Sequence, residues 1–244
     1  MTDDIKSAGP VAGDWGEPEV ILTAPQGWEY NHLSWPKVTR TPHSNVVLAC
    51  SAGVGHLMGG SGLTVSVSRD GGRSFSSPEM LRSFPQFDDR YHDCGNYAIG
   101  TAGDGAIVLL AMAFNRKQKR NTIFGFRSED EGHSWQTVDT ENLAENKTGS
   151  VYGHIFPLPK GKLGVVGHYR PGSKPHESGI WMSVSGDEGL SWSPAKCIIE
   201  GNYVEPAVIY TDRGFIGLLR RDNGRDFYTL AVSEDGEEWQ LRAN

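Results

Sequence analysis

The sequence predicts an all-β protein that is built from one repeated structural unit. Its 244 residues include 31 glycines and 13 prolines, and no long segment has apolar residues at helical spacing. Short alternating runs rich in β-branched and aromatic residues are separated by Gly, Asp and Asn, which is the pattern of strands and turns. One octet of residues recurs four times, and a repeat of this kind indicates a repeated architecture.

The recurring octet has the pattern Ser-x-Asp-x-Gly-x-Ser-aromatic. Its copies are SRDGGRSF from Ser68, SEDEGHSW from Ser128, SGDEGLSW from Ser185 and a copy one residue shorter, SEDGEEW from Ser233. An aspartate carboxylate can accept hydrogen bonds from nearby backbone N–H groups, and glycine tolerates the positive φ that a tight turn requires. The octets therefore predict four hairpin turns, centred on Asp70, Asp130, Asp187 and Asp235.

Each octet follows a strand and, further upstream, an apolar hairpin. The strands are LTVSVS, NTIFGFRS, GIWMSVS and YTLAVS, and the hairpins turn at Asn45, Gly105, Gly161 and Gly214. These turn centres precede the octet aspartates by 25, 25, 26 and 21 residues, so the two patterns stay in phase. Two hairpin strands, a third strand, the octet turn and an outer strand form a four-stranded propeller blade of about 50 residues. The sequence thus predicts four blades of a β-propeller.

The start of the chain differs from the repeats. Residues 1–13 are expected to form an N-terminal tail, and residues 14–244 the propeller domain. The segment DWGEPEVIL from Asp14 resembles the outer strands SFSSPEML and SWSPAKCII, so we expect a lone outer strand there that completes a last blade. The first residues lack the basic and then apolar pattern of a signal peptide, which favours the cytoplasm unless a leader has been removed.

Composition excludes several classes of function. A net charge of -7 argues against a nucleic-acid partner. The sequence also contains no run of 18 apolar residues, so no membrane-spanning helix is predicted. An anionic ligand is still compatible with this charge, because arginines can cluster locally. The three cysteines, Cys50, Cys94 and Cys197, are far apart and form no CxxC pair, so neither a disulfide framework nor a zinc site is expected. No cofactor is expected either.

On these motifs the sequence resembles the sialidase (neuraminidase) superfamily, the Asp-box or BNR-repeat proteins. The octets match its Asp boxes, and GHIFPLPKGKLGVVGHY and VEPAVIYTDRGFIGLLRR resemble its third and fourth inner hairpins. The resemblance covers the chain from about Asp14 onward. It implies a six-bladed propeller of which about two blades are lacking here, with Asp boxes that are structural turns outside the active site. An open ring would expose unpaired edges and favour self-association.

The resemblance also indicates where a ligand would bind, since the inner strands of a propeller line a central channel. Equivalent positions of the repeats place there Trp35, Asn96, His154, Glu205, His168 with Tyr169, and Arg220 with Arg221. Glu205 falls where the family has the Glu that supports a tyrosine nucleophile, and Arg220 or Arg221 where an arginine binds the substrate carboxylate. Lys37 or Arg40 lies near the position of the family's first arginine, although lysine cannot form the bidentate fork.

Three hypotheses of function follow from these residues. The first is exo-acting hydrolysis of a linkage to an acidic sugar such as sialic acid, with Glu205 in a catalytic role. The second is glycan binding without hydrolysis, because loop 51–62 has no carboxylate for the family's acid/base role. The third is a glycosidase or polysaccharide lyase that uses His154, His168 and Tyr169 as acid and base. In each case the expected partner is a glycan or a small acidic sugar. Because loop 51–62 has no carboxylate, we expect little release of sialic acid by this chain.

Overall fold

The chain folds almost entirely into β-strands, as the sequence predicts. The structure, a computed structural model, describes residues 16–56, 58–222 and 228–242. Helix is confined, within these residues, to two three-residue 3₁₀ turns at Glu141–Leu143 and Pro159–Gly161. The all-β class is therefore confirmed, while the N-terminal tail expected at 1–13 lies outside the described residues.

The strands form four successive units of four antiparallel strands each. Unit 1 contains β1 (His32–Arg40), β2 (Val46–Gly53), β3 (Ser61–Ser68) and β4 (Glu79–Phe84), and unit 2 contains β5 (Asp93–Thr101), β6 (Ile107–Asn115), β7 (Arg120–Ser128) and β8 (Gln136–Thr137). Unit 3 contains β9 (Ser150–Leu158), β10 (Lys162–His168), β11 (Ile180–Ser185) and β12 (Lys196–Ile199), and unit 4 contains β13 (Tyr203–Thr211), β14 (Gly214–Arg221), β15 (Thr229–Ser233) and β16 (Gln240–Arg242). Within each unit the strands pair in sequence order.

The first strands of the four units lie side by side. Strand β1 contacts β5, β5 pairs in parallel with β9 over two residues, and β9 contacts β13. The short β5–β9 pairing joins units 2 and 3 into one eight-stranded sheet. Because the first strands converge while β4, β8, β12 and β16 lie at the opposite edges, the arrangement is β-propeller-like.

The hydrophobic core lies between units rather than inside them. The first interface buries Val47, Ala49, Leu63 and Val65 of unit 1 against Ile99, Ile107, Leu109 and Ala111 of unit 2. Comparable clusters lie between units 2 and 3 and between units 3 and 4. Each fully buried aliphatic side chain contributes about 1.5–3 kcal/mol, so a unit depends on its neighbours for most of its stability.

The octets form the turns between the third and fourth strands of every unit. In the first turn, Asp70 accepts hydrogen bonds from the Ser68 hydroxyl at 2.7 Å, the Ser74 hydroxyl at 2.6 Å and the Ser74 N–H at 2.9 Å. The hydroxyl and N–H of Ser74, followed by the Ser68 hydroxyl, hold the pKa of Asp70 well below its usual range. Asp130 and Asp187 accept equivalent hydrogen bonds. The three carboxylates are thus occupied by hydrogen bonds within their own turns, which is consistent with a structural role.

The residue after the octet aspartate connects one unit to the preceding one. Glu131 of unit 2 accepts hydrogen bonds from His43 and Asn45 in the first hairpin turn of unit 1. Glu188 of unit 3 accepts the N–H of Gly103, in the equivalent turn of unit 2, at 2.7 Å. Unit 1 has Gly71 at this position, and the octet of unit 4 is one residue shorter. The turns therefore connect neighbouring units at their periphery.

The lone outer strand expected from Asp14 is not present in the described residues. No residue from 16 to 31 belongs to a strand, and Val20 and Ile21 are exposed. The resemblance of this segment to outer strands was thus misleading within the described chain. The physical reason is that a strand needs a partner, and the outer edges of the four units are already formed by β4, β8, β12 and β16.

Unit 4 exposes an apolar face that has no equivalent in unit 3. Ile209, Ile216 and Leu218 are 50%, 41% and 47% exposed, and the strand register places Ile209 directly opposite Ile216. In unit 3, Phe156 and Val166 on the corresponding face are covered by unit 4. In the described part of the chain, no pairing joins β13 to β1.

The hydrogen bonds of the octets lead to a prediction about stability. Asp187→Ala removes an acceptor from the Ser185 hydroxyl and from both donors of Ser191, which we expect to cost about 2 kcal/mol and to lower the melting temperature by about 4–8 °C. Asp235→Ala should cost less, because Glu238 replaces the second serine and donates only its N–H. Urea unfolding of both variants measures the difference, and equal costs would contradict this account.

The exposed face of unit 4 predicts self-association of the chain. An apolar sheet face favours contact with another surface, so we expect the sedimentation coefficient to rise with protein concentration. The double substitution Ile216→Lys and Leu218→Glu should shift the protein toward the monomer. Val38→Lys, at a similarly exposed residue of β1, is the control and should have little effect. A wild-type protein that stays monomeric at every concentration would contradict this prediction.

Candidate functional site

The first strand of every unit is interrupted by a β-bulge at the same place. The register shifts between Ser34 and Lys37 in β1, between Cys94 and Tyr97 in β5, and between Val204 and Ala207 in β13, and β9 shifts between Tyr152 and Phe156. The bulged positions include the residues that the repeat comparison selects, Trp35, Asn96, His154 and Glu205. A bulge turns side chains out of the sheet alternation and is frequent next to binding sites.

Two of these bulges hold a bulky residue in a left-handed conformation. Trp35 has a φ of 53° and Glu205 a φ of 51°, a region that side chains with a Cβ seldom adopt. In β9 the left-handed position is occupied by Gly153, with a φ of 87°, where no such strain arises. Strained backbone at equivalent positions indicates that the surroundings force the conformation.

Two adjoining cavities open beside the bulges, and together we call them the central cleft. Their volumes are about 100 Å³ and 250 Å³, and both are lined by Asn96, Arg170 and Glu205. The smaller cavity also contacts Trp35, Asp93 and Arg116, and the larger one contacts Arg220. The cleft is therefore polar, with an indole ring on one side, and suits a small hydrophilic ligand.

Three guanidinium groups reach the central cleft from three successive units. Arg116 follows β6, Arg170 follows β10 and Arg220 lies in β14. The side chain of Arg170 lies over the ring of Phe114, with 5.1 Å between guanidinium carbon and ring centroid. Burial, and then the nearby charge of Arg116, lower the pKa of Arg170. Arg116 and Arg220 form ion pairs with carboxylates, so within the described residues Arg170 is the cation of this cluster that has no ion pair.

Two carboxylates face the same cleft in different environments. Asp93 is 7% exposed, accepts a hydrogen bond from the Ser61 hydroxyl at 3.0 Å and pairs with Arg116 at 3.2 Å. Burial raises the pKa of Asp93, although Ser61 and Arg116 oppose the shift. The carboxylate of Glu205 is more exposed and pairs with the Nε of Arg220 at 2.6 Å. Glu205 therefore lies in an ion pair with Arg220, whereas burial favours the neutral form of Asp93.

Lys37 lies close to the cleft but does not replace an arginine in it. Its Nζ is 4.6 Å from the centroid of the Tyr152 ring in β9, and burial lowers the pKa of Lys37 while the charge of Glu205 opposes this shift. Asn96 donates from its side-chain amide to the Ser150 hydroxyl at 3.0 Å. Asn96 therefore joins the neighbouring first strands β5 and β9, whereas Lys37 reaches from β1 past β5 to β9.

Three other residues selected from the sequence are less favourably placed for contact with a ligand. Arg221 is on the opposite side of β14 from Arg220, and its Nε contacts the Thr229 hydroxyl at 3.3 Å. His154 is exposed and lines neither cavity. Tyr169 borders the larger cavity but is 4% exposed, and burial raises the pKa of its hydroxyl to about 12. The sequence did not distinguish Arg220 from Arg221, and of these two arginines only Arg220 lines the cleft.

His168 is also unsuited to the acid/base role that the third hypothesis gives it. It is 3% exposed, and burial, reinforced by the charges of Arg170 and Arg220, lowers its pKa to about 3. Its Nδ1 accepts the backbone N–H of Glu205 at 3.2 Å. The two histidines and the tyrosine of that hypothesis therefore do not form one reactive group, because His154 is exposed outside both cavities whereas His168 and Tyr169 are buried beside the larger one.

Sequence reasoning missed two arginines of the cleft, Arg116 and Arg170, and it did not single out Asp93 from the other acids of its segment. Arg170 directly follows the predicted His168-Tyr169 pair, and Arg116 follows β6 in the segment AFNR. Extending the comparison of second-strand ends by two residues would have found both arginines. Asp93 was visible only as one of several acids before β5, and nothing in the sequence separated it from Asp88 and Asp89.

Comparison with known proteins shows the fold. No protein-family model and no curated protein matches the chain. A protein of unknown function from Dyadobacter fermentans DSM 18053 aligns at a TM-score of 0.67 and 20% identity, over 91% of this chain and 71% of that one. Hadza microbial sialidase Hz136 aligns at a TM-score of 0.69 and 16% identity, over 88% of this chain and 47% of that one. The Penicillium chrysogenum α-L-arabinanase complexed with arabinobiose aligns at a TM-score of 0.59 and 14% identity, over 91% of this chain and 69% of that one.

These similarities, together with the strand arrangement, define the class of the fold. The chain has the all-β, β-propeller-like fold found in sialidases and arabinanases. It spans about half the length of the sialidase. In the described residues, no group of three or more metal-binding side chains comes together, and no helix is long and apolar enough to cross a membrane.

The buried His168 predicts a pH dependence of folding. Its pKa is about 3 in the folded chain and about 6.5 when unfolded, so between these values the unfolded state binds the extra proton. The contribution of neutral His168 to the free energy of unfolding is complete above pH 6.5. It decreases as the pH falls, by at most about 1.4 kcal/mol per pH unit. His168→Asn should flatten this slope in urea unfolding between pH 7 and 5, while exposed His154→Asn should not. Identical slopes in His168→Asn and wild type would refute the assignment.

Proposed function

We propose that the chain is a carbohydrate-binding propeller that recognises an acidic sugar through its carboxylate in the central cleft. The observation that carries this proposal is the convergence of Arg116, Arg170 and Arg220 from three units on one cleft. A guanidinium binds a carboxylate through two parallel hydrogen bonds, which gives both affinity and orientation. The acidic sugar expected from the sequence is thus matched by positive charge in an otherwise acidic protein.

Arg170 is the arginine best placed to bind an external carboxylate. Arg116 pairs with Asp93 and Arg220 pairs with Glu205, whereas Arg170 has no ion pair among the described residues. The contact with Phe114 fixes its guanidinium without using its hydrogen-bond donors for a carboxylate. Trp35 lines the same cavity and offers an aromatic surface to a sugar ring. The site therefore combines a fixed cation with a stacking surface.

Two of the solved structures with this fold are named as a sialidase and as an arabinanase complexed with arabinobiose, so acidic and neutral sugars are both represented. The arginine cluster favours the acidic class. A neutral oligosaccharide would leave the guanidinium of Arg170 without an anionic partner in a partly buried cleft, which is unfavourable.

Hydrolysis of the glycosidic linkage is the second candidate function. One observation favours it, namely that burial raises the pKa of Asp93 while Glu205, in the same cleft, forms an ion pair with Arg220. Glycosidases commonly need one protonated and one ionised carboxylic acid. Exo-acting hydrolysis by this pair ranks below sugar binding, because Asp93 also forms an ion pair with Arg116, and this ion pair favours the charged form of Asp93.

Binding of acidic sugars is tested by calorimetric titration with N-acetylneuraminate and glucuronate, using arabinobiose as the neutral comparison. We expect the two acids to bind and Arg170→Ala to weaken their affinity about tenfold to hundredfold, or about 1.4–3 kcal/mol. Arg220→Ala should weaken binding, whereas Arg221→Ala, the matched control on the other side of β14, should not. Preferential binding of arabinobiose, or equal effects of Arg220→Ala and Arg221→Ala, would refute the proposed site.

Hydrolysis is tested separately with an aryl sialoside. We expect little release of sialic acid, since loop 51–62 supplies no carboxylate and Asp93 is ion-paired. Any turnover that is observed should be lost in Asp93→Asn and in Glu205→Gln, because each removes one member of the carboxyl pair. Turnover that survives both substitutions would exclude this pair as the catalytic groups.

A further inference from the structure

The conformation of Glu205 needs a second residue to maintain it. Its φ of 51° is unfavourable for a residue with a side chain, and the following Pro206 restricts it further. The bulge between Val204 and Ala207 also removes the Glu205 N–H from the β13–β14 hydrogen-bond ladder. A buried N–H without a partner is costly, so this bulge is stable only if another group accepts that hydrogen bond.

We propose that His168 is a positioning residue for Glu205: its neutral imidazole accepts the Glu205 N–H and thereby holds the bulge that presents the Glu205 carboxylate to Arg220 in the central cleft. The inference rests on the proposed function, since it assigns His168 a role only if Glu205 belongs to the ligand site. The distance from the Glu205 nitrogen to Nδ1 is 3.2 Å, and His168 ends β10 in the neighbouring unit.

The acceptor role defines the tautomer of His168. A neutral imidazole has one protonated nitrogen, so Nδ1 can accept a hydrogen bond only when the proton is on Nε2. Burial, with the charges of Arg170 and Arg220, keeps the ring neutral because it lowers the pKa to about 3. The hydrogen bond to Glu205 is therefore retained at neutral and mildly acidic pH.

The other bulges support this interpretation. In unit 1 the left-handed residue is Trp35, and the Tyr97 hydroxyl of unit 2 donates to the Ser34 carbonyl at 2.9 Å and accepts the Ser51 N–H at 3.1 Å. In unit 3 the left-handed residue is Gly153, and no side chain in the described chain forms a hydrogen bond with it. A buried side chain from an adjacent unit thus supports the bulge where the left-handed residue is not glycine.

The test compares three substitutions of His168. Asparagine places its amide oxygen near the position of Nδ1, glutamine extends further toward Nε2, and phenylalanine has no acceptor. We expect His168→Phe and His168→Gln to weaken N-acetylneuraminate binding about tenfold, the usual size for a residue that orients a ligand-binding group. His168→Asn should restore the affinity. His176→Phe, which keeps an aromatic ring beside Tyr169, is the matched control and should bind like wild type.

Nuclear magnetic resonance of the ligand-free protein supplies an independent readout. In wild type the Nδ1 of His168 should lack a proton and the Nε2 should carry one between pH 5 and 8. The Arg220 Nε–H signal, which reports the ion pair with Glu205, should shift in His168→Gln and His168→Phe but not in His168→Asn. A protonated Nδ1 in wild type, or an unchanged Arg220 signal in His168→Gln, would overturn the inference.

The two readouts separate this inference from the proposed function. If wild type binds neither N-acetylneuraminate nor glucuronate, the proposed function fails, and the Arg220 signal still shows whether His168 positions Glu205. If Arg170→Ala abolishes binding while all His168 variants bind like wild type, the proposed function stands and the positioning role is wrong. If His168→Phe does not fold, the comparison of the asparagine and glutamine variants decides.

Discussion

The structure depends on the packing of each four-stranded unit against the next. A sheet of four strands has two faces, and Val47, Leu63 and Val65 of unit 1 become buried only because unit 2 covers them. The same constraint brings the first strands β1, β5, β9 and β13 together at one edge. It also explains why Ile209, Ile216 and Leu218 are exposed, since no described unit covers that face of unit 4.

Side chains cross from one unit to the next both at the peripheral turns and near the central cleft. At the periphery, Glu131 and Glu188 reach from one unit to the hairpin turn of the preceding one. Near the first strands, side chains likewise cross between units, as Tyr97 does toward unit 1 and His168 toward unit 4. Asp93 and Glu205 are therefore held partly by contacts between units, so the relative placement of the units contributes to the geometry of the site.

The repeat made much of the architecture predictable. Alternating strands and the octet turns depend on local residue order, so the positions of the turns at Asp70, Asp130 and Asp187 can be derived from the sequence. The expected strand at Asp14 shows the limit of this reasoning, because pairing with a distant partner cannot be derived from a local pattern. Likewise, Arg220 and Arg221 are indistinguishable by spacing, and the alternation along β14 separates them only once the register is known.

By itself, the sequence determined the all-β class, the repeated unit and the first-strand positions of Trp35, Asn96, His154 and Glu205, since these follow from local periodicity. Only the tertiary structure decided which charged groups meet. Asp93, Arg116 and Arg170 come from separate segments and converge because units 2 and 3 pack side by side. The hydrogen bond from the Glu205 N–H to His168, which the sequence did not predict, arises in the same way from the packing of units 3 and 4. Burial and hydrogen bonding between units are set by packing, which acts between residues far apart in the chain.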